Sequence, residues 1–105
     1  MRVSKKMLEN KVDQLNKITN SPMEYFKTTD PTDNTINTGH FCLDNSYGGW
    51  ELQRTCNSGG GVNDYLHSGH VPKRQLYDLI SAFIDGIELE QDHMNELLNE
   101  WKLTK

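Results

Sequence analysis

The longest pattern in the chain runs from Leu76 to Trp101. Leu76, Ile80, Phe83, Ile87, Glu90, Met94, Leu97 and Trp101 follow one another at alternating spacings of four and three. That heptad-like seam predicts a helix with one polar interruption, Glu90. Begun at Pro72, it spans about 30 residues, or about 45 Å at 1.5 Å per residue. Nothing else in a chain of 105 residues is long enough to cover it. Either the helix bends near Gly86, or its second half packs on another subunit. The second arrangement is the expectation.

The rest of the chain supplies shorter elements. Ser4 suits a helix N-cap, with Val3 before it placed to staple against Leu8. Leu8, Val12, Leu15 and Ile18 then form one stripe, and Asn20-Ser21-Pro22 ends the helix. Met23 to Phe26 reads as a short apolar turn, and TTDPTDNTINTG after it as an exposed loop. HFCLD, WELQRT and VNDYLH are strand-like runs separated by NSYGG and NSGGG, both turn signals. If Phe41 and Leu43 share a face with Trp50 and Leu52, odd residues must pair with even ones across the first hairpin. Cys42 and Cys56 then point to opposite faces, which argues against a disulfide. The predicted fold is therefore α+β, in the order α-β-β-β-α. It is one domain, with an α/β core over 1–88 and an acidic helical extension over 89–105.

Composition narrows the function classes. Hydrophobic residues make up 34% of the chain, and the net charge is −4. So polar a chain of this size buries a thin core, and an oligomer sharing apolar surface is expected. An acidic chain is a poor non-specific coat for nucleic acid. No run approaches a membrane span, and the start MRVSKKMLENKV lacks the apolar region of a secretory signal. The cytoplasm is the expected compartment.

The segment NSGGGVNDYLHSGHVPKR carries the main candidate site. A helix N-terminus exposes N–H groups and favours negative charge, so Lys73 and Arg74 just after Pro72 are locally mismatched. An anion would resolve the mismatch, with His70 adding a donor. The plainer reading is that both cations are solvated and that Pro72 merely starts the helix. Tyr47 and Trp50 flank Gly48-Gly49, where a flat ring could stack; core packing is the other reading for Trp50. Arg54 lies beside the apolar face, suited to an acidic partner or to an internal ion pair.

Gly59-Gly60-Gly61 fits neither phosphate-loop spacing and reads as a hairpin connection. His40, Cys56, His67 and His70 lack metal-ligand spacing, so no metal and no cofactor are expected. A Cys42–His40 pair has no third group by motif, and no enzyme is expected. Six acids between Asp85 and Trp101 face a first helix rich in lysine, a layout that either steers helix pairing or marks two solvated faces.

Three stretches, SKKMLENKVDQLNKITNSP, FCLDNSYGGWELQR and GGGVNDYLHSGHVPKRQLYDLISAFIDGIE, resemble small uncharacterised early-region accessory proteins of tailed bacteriophages and prophages. The likeness covers roughly residues 4 to 88. It implies an accessory protein inside an infected bacterium, one that counters host defence by sequestering a phosphate-bearing nucleotide or by blocking a host protein. The element order is also similar to the double-stranded-RNA-binding domain, where basic residues at the last helix grip phosphates, a role that would fall to Lys73 and Arg74. The acidic final helix departs from that family, so nucleic acid is the disfavoured partner. The third reading is a structural or regulatory oligomer without a small ligand.

Overall fold

The computed structural model describes residues 2–103, with side chains described through residue 100. Trp101, the last position of the predicted seam, lies outside the described side chains. The elements are α1 (Lys5–Ile18), β1 (Phe41–Ser46), β2 (Gly49–Thr55), β3 (Val62–Asp64) and α2 (Lys73–Leu103). The strands form one antiparallel sheet in the order β1-β2-β3. The α+β order read from the sequence is the order observed.

α1 begins where its cap chemistry says it should. Ser4 Oγ accepts a hydrogen bond from the Met7 N–H at 3.2 Å, satisfying one of the orphan donors of the first turn. Val3 and Leu8 are both buried in the same cluster, as a hydrophobic staple requires. The helix ends at Ile18, and Asn20 takes a positive φ of 55° just beyond it.

The hairpin register satisfies the parity read from the sequence. Phe41 pairs with Arg54, Leu43 with Leu52 and Asn45 with Trp50, odd against even throughout. The two-residue connection Tyr47-Gly48 has positive φ at both positions, 55° and 75°, the signature of the turn that matches strand twist. β3 is shorter than the run VNDYLH suggested. Pairing stops at Asp64 because the chain turns at Tyr65, and His67 reverses it with a φ of 56°.

Gly49 has a specific steric job. A Cβ there would lie 2.8 Å from the His70 carbonyl carbon and 2.8 Å from the Val71 nitrogen. The hairpin must come this close because Trp50 and Val71 exchange both backbone hydrogen bonds, at 2.7 and 2.9 Å. That bridge ties the segment leading into α2 onto β2. Gly49→Ala is expected to destabilise the protein by about 1–3 kcal/mol through this overpacking, read as a lowered urea midpoint.

One core joins the two helices to one face of the sheet. Leu8, Val12 and Leu15 of α1, Phe41 and Leu52 of the sheet, and Leu76, Ile80 and Ile84 of α2 are buried together. The buried line on α2 is thus 76, 80, 84, whereas the heptad reading placed Phe83 and Ile87 there; these two are only partly buried against the cluster. Beyond Ile87 every described residue of α2 is exposed. α2 continues through Gly86 as one helix of 31 residues, with no break at the glycine. The radius of gyration, 16.6 Å, exceeds the roughly 13 Å of a compact chain of this length, which a helix running past its domain explains.

The segment between α1 and β1 is more ordered than a loop-forming composition implies. Phe26 and Ile36 form an isolated bridge, the Lys27 N–H donates to the Thr35 carbonyl, and Ile36 is buried. Asp30 and Asp33 each bind a threonine two residues on, closing the tip with Asx-type turns.

Candidate functional site

The six residues singled out from the sequence fall into three places. Lys73 and Arg74 are the first two positions of α2, one residue after Pro72. Arg74 Nε lies 3.3 Å from Asp78 Oδ2, a pair of the i, i+4 kind. Neither residue lines the cleft between α1 and β1 or the one on α2.

His70 and Tyr47 lie together on the face of the sheet away from the helices. Their rings are 5.2 Å apart, edge to face, and Tyr47 is 94% exposed. The pairing of Asp44 with Glu51 sets two carboxylates opposite one another on this face, which alone is destabilising. His70 sits between them, with Nε2 2.6 Å from Asp44 Oδ2 and Nδ1 3.4 Å from Glu51 Oε2. Gln53 donates to the other Glu51 oxygen at 2.9 Å. An incoming anion at His70 would therefore meet two carboxylates first, which opposes the role expected for that ring.

The His70 hydrogen bond, and then one from Ser46, hold the Asp44 carboxyl below its ordinary value. A depressed carboxyl contributes stability above its unfolded value of about 3.9 and loses it as the pH falls through the lower folded value. Because Asp44 is partly exposed, the contribution is small. Wild type should therefore be slightly more stable than Asp44→Asn at pH 6, with the gap closing toward pH 2 in paired thermal melts.

Arg54 and Trp50 occupy the helix side of the sheet. The Arg54 guanidinium lies over Phe41 and Tyr65, at 4.6 and 5.6 Å from the ring centroids. Its Nε donates to the Gly39 carbonyl at 3.0 Å and a terminal nitrogen to Ser21 Oγ at 3.4 Å. It pins the end of the sheet to the chain after α1. Trp50 is half-buried on the wall of the α1–β1 cleft. The structure thus does not gather the six residues into one pocket.

The glycine run is equally occupied. Asn57 Oδ1 accepts from the N–H groups of Gly59 and Gly61, at 2.9 and 3.1 Å, and the Cys56 N–H donates to the Gly61 carbonyl. Those amides are turned inward rather than toward a phosphate. Both cysteines are free thiols. Burial, and then the Asp44 charge, push the Cys42 thiol up, away from the reactive thiolate. His40 Nδ1 is 2.7 Å from the Pro22 carbonyl. Among the described residues no group of three His, Cys, Asp or Glu is placed to hold a metal, and no helix is long and apolar enough to cross a membrane.

A cleft of about 510 Å³ lies between α1, residues 23–25 and β1. A second, of about 450 Å³, lies on α2 around Phe83, Gly86 and Ile87. It opens onto an exposed stripe, Met94, Leu97 and Leu98, at 48%, 46% and 50% exposure. The sequence pattern announced Met94 and Leu97 of that stripe but neither Leu98 nor the cleft at its base.

Compared with protein-family models, with curated proteins and with solved structures, the chain matches none of them.

Proposed function

We propose that the chain is a non-enzymatic accessory protein that works by protein–protein contact and assembles with a second copy through the outer half of α2. The single observation carrying this reading is that half-helix. Beyond Ile87 it leaves the domain with its apolar stripe uncovered, and isolated helices of this length are marginal in water.

Charge placement favours a second copy as the occupant. At 100° per residue, Phe83, Ile87, Met94, Leu97 and Leu98 share one face, while Asp85, Glu88, Asp92 and Glu96 lie on the opposite one. The positions flanking the stripe are Gln91, His93, Asn95 and, at its far end, Glu100, so two copies meet without opposed flanking carboxylates along the middle of the seam. Glu90 is the exception. A parallel pair would set Glu90 against Glu90, whereas an antiparallel pair centred at Asp92 would set each opposite Met94 of the other copy. The antiparallel pair is therefore preferred. Exposed positions of α1, by contrast, are polar or charged and offer the stripe no apolar mate.

The setting implied by the resemblance, an infected bacterium whose defences are countered, fits a small interaction protein. Blocking a host protein suits this surface better than holding a phosphate, since His70 is already flanked by two carboxylates. Sedimentation equilibrium tests the assembly: a concentration-dependent mass reaching twice the chain mass is expected, and a constant monomer mass contradicts it. For the setting, a bacterium with an active defence system should plate phage more efficiently when it expresses the chain; plating equal to the empty vector across several defences contradicts it.

A further inference from the structure

β1 is an edge strand, and its outward backbone groups can be assigned individually. The Trp50 N–H and C=O both bond Val71, and the Leu52 carbonyl accepts from the Tyr65 N–H. β2 therefore turns its polar groups at these two residues away from β1. Their partners Asn45 and Leu43 must likewise point their N–H and C=O groups outward, as the alternation of an antiparallel ladder requires. Phe41 is outward too, but Asn16 closes it: its amide accepts from the Phe41 N–H at 2.8 Å and donates to the Phe41 carbonyl at 3.0 Å.

The edge is thus capped at one end and, among the described residues, open at Leu43 and Asn45. Natural sheets commonly blunt such edges with proline, lysine, bulges or very short strands. β3, the opposite edge, has only three residues. β1 has six and carries no proline or lysine, and the 510 Å³ cleft runs along it.

We propose that this edge binds an extended segment of another protein, one that alternates apolar and cationic side chains. Two donors and two acceptors at Leu43 and Asn45 would pair with its backbone, the mode of strand addition. Val12, Tyr25, Leu43 and Trp50 offer apolar walls to side chains entering the cleft. Its charged lining is Glu9, Asp13 and Glu24 against Lys5, and Lys5 Nζ already lies 3.8 Å from Glu9. The excess of carboxylates selects the cation. A second copy's β1 is a poorer occupant, because FCLDNS contributes another acid and no cation.

The test is a displayed library of random 12-residue peptides panned on the immobilised full-length protein, followed by amide exchange on the wild-type protein with a selected synthetic peptide. Selected peptides should carry lysine or arginine between apolar residues, and binding should protect the Leu43 and Asn45 amides. Asn45→Pro removes an outward N–H without touching the β1–β2 ladder and should weaken binding at least tenfold while leaving circular dichroism unchanged. Should that variant unfold, a peptide N-methylated at alternate residues serves instead and should bind at least tenfold more weakly. No enrichment, protection confined to α2, or binding insensitive to whichever backbone block is used would overturn the proposal.

Discussion

Replacing Asn16 with leucine is expected to cost about 2–5 kcal/mol, a large share of a small domain's stability. Asn16 is fully buried, yet it lies on the apolar face of α1. Its amide acts as a short substitute for a neighbouring strand, bonding both backbone groups of Phe41, itself buried. Leucine keeps the approximate volume but strands an N–H and a C=O where water cannot reach them, each at about 1–3 kcal/mol. A fall in melting temperature of about 10–20 °C should follow. Asn16→Asp separates the two bonds. Ionised, it can still accept from the Phe41 N–H but faces the Phe41 carbonyl as a buried charge. Burial would raise its folded pKa, so its deficit against wild type should widen as the pH rises above about 4. A deficit independent of pH would mean that the site is wetter than the packing indicates.

The second large effect concerns assembly rather than folding. Met94→Glu combined with Leu98→Glu should weaken self-association at least 100-fold. In a symmetric pair these two positions bury four side chains, each worth about 1.5–3 kcal/mol, and every 1.4 kcal/mol is a factor of ten. The domain should stay folded, because both residues are exposed and lie beyond the buried part of α2. Its melting temperature should also become independent of concentration. The opposite change, Glu90→Leu, removes the polar interruption from the seam and should tighten association. Ultracentrifugation of the three proteins at matched concentrations checks both directions.

Several features were legible in the sequence because one local rule decided each. Ser4 and Val3 announced the start of α1. The NSYGG turn signal, with alternating apolar residues on either side, set the odd–even parity of the hairpin. Asp44 stands opposite Glu51 only once the register is known, and sequence parity alone does not bring His70, 26 residues on from Asp44, to bond between them.

Other features depend on contacts far apart in the chain. Asn16 stands four residues after Val12 and eight after Leu8, on the buried face, and a polar side chain there was the available clue. Its partner 25 residues on was not visible. A seam drawn at spacings of four and three selects Phe83, whereas α2 packs along 76, 80 and 84, an i, i+4 ridge set by how it meets α1 and the sheet. Arg54 looked available to a partner because sequence shows its parity but not the Gly39 carbonyl and the two rings that hold it.

Hydrogen exchange along α2 tests the central claim most directly. From Glu88 to Glu100 the described residues of the helix have almost no tertiary support within their own chain, the Gln91 amide bond to the Ile18 carbonyl being the exception. If a second copy covers the stripe, these amides should be protected, and the protection should rise with protein concentration while that of β2 stays constant. Amides in this stretch that exchange at nearly unprotected rates at every concentration, beside a well-protected β2, would contradict the account.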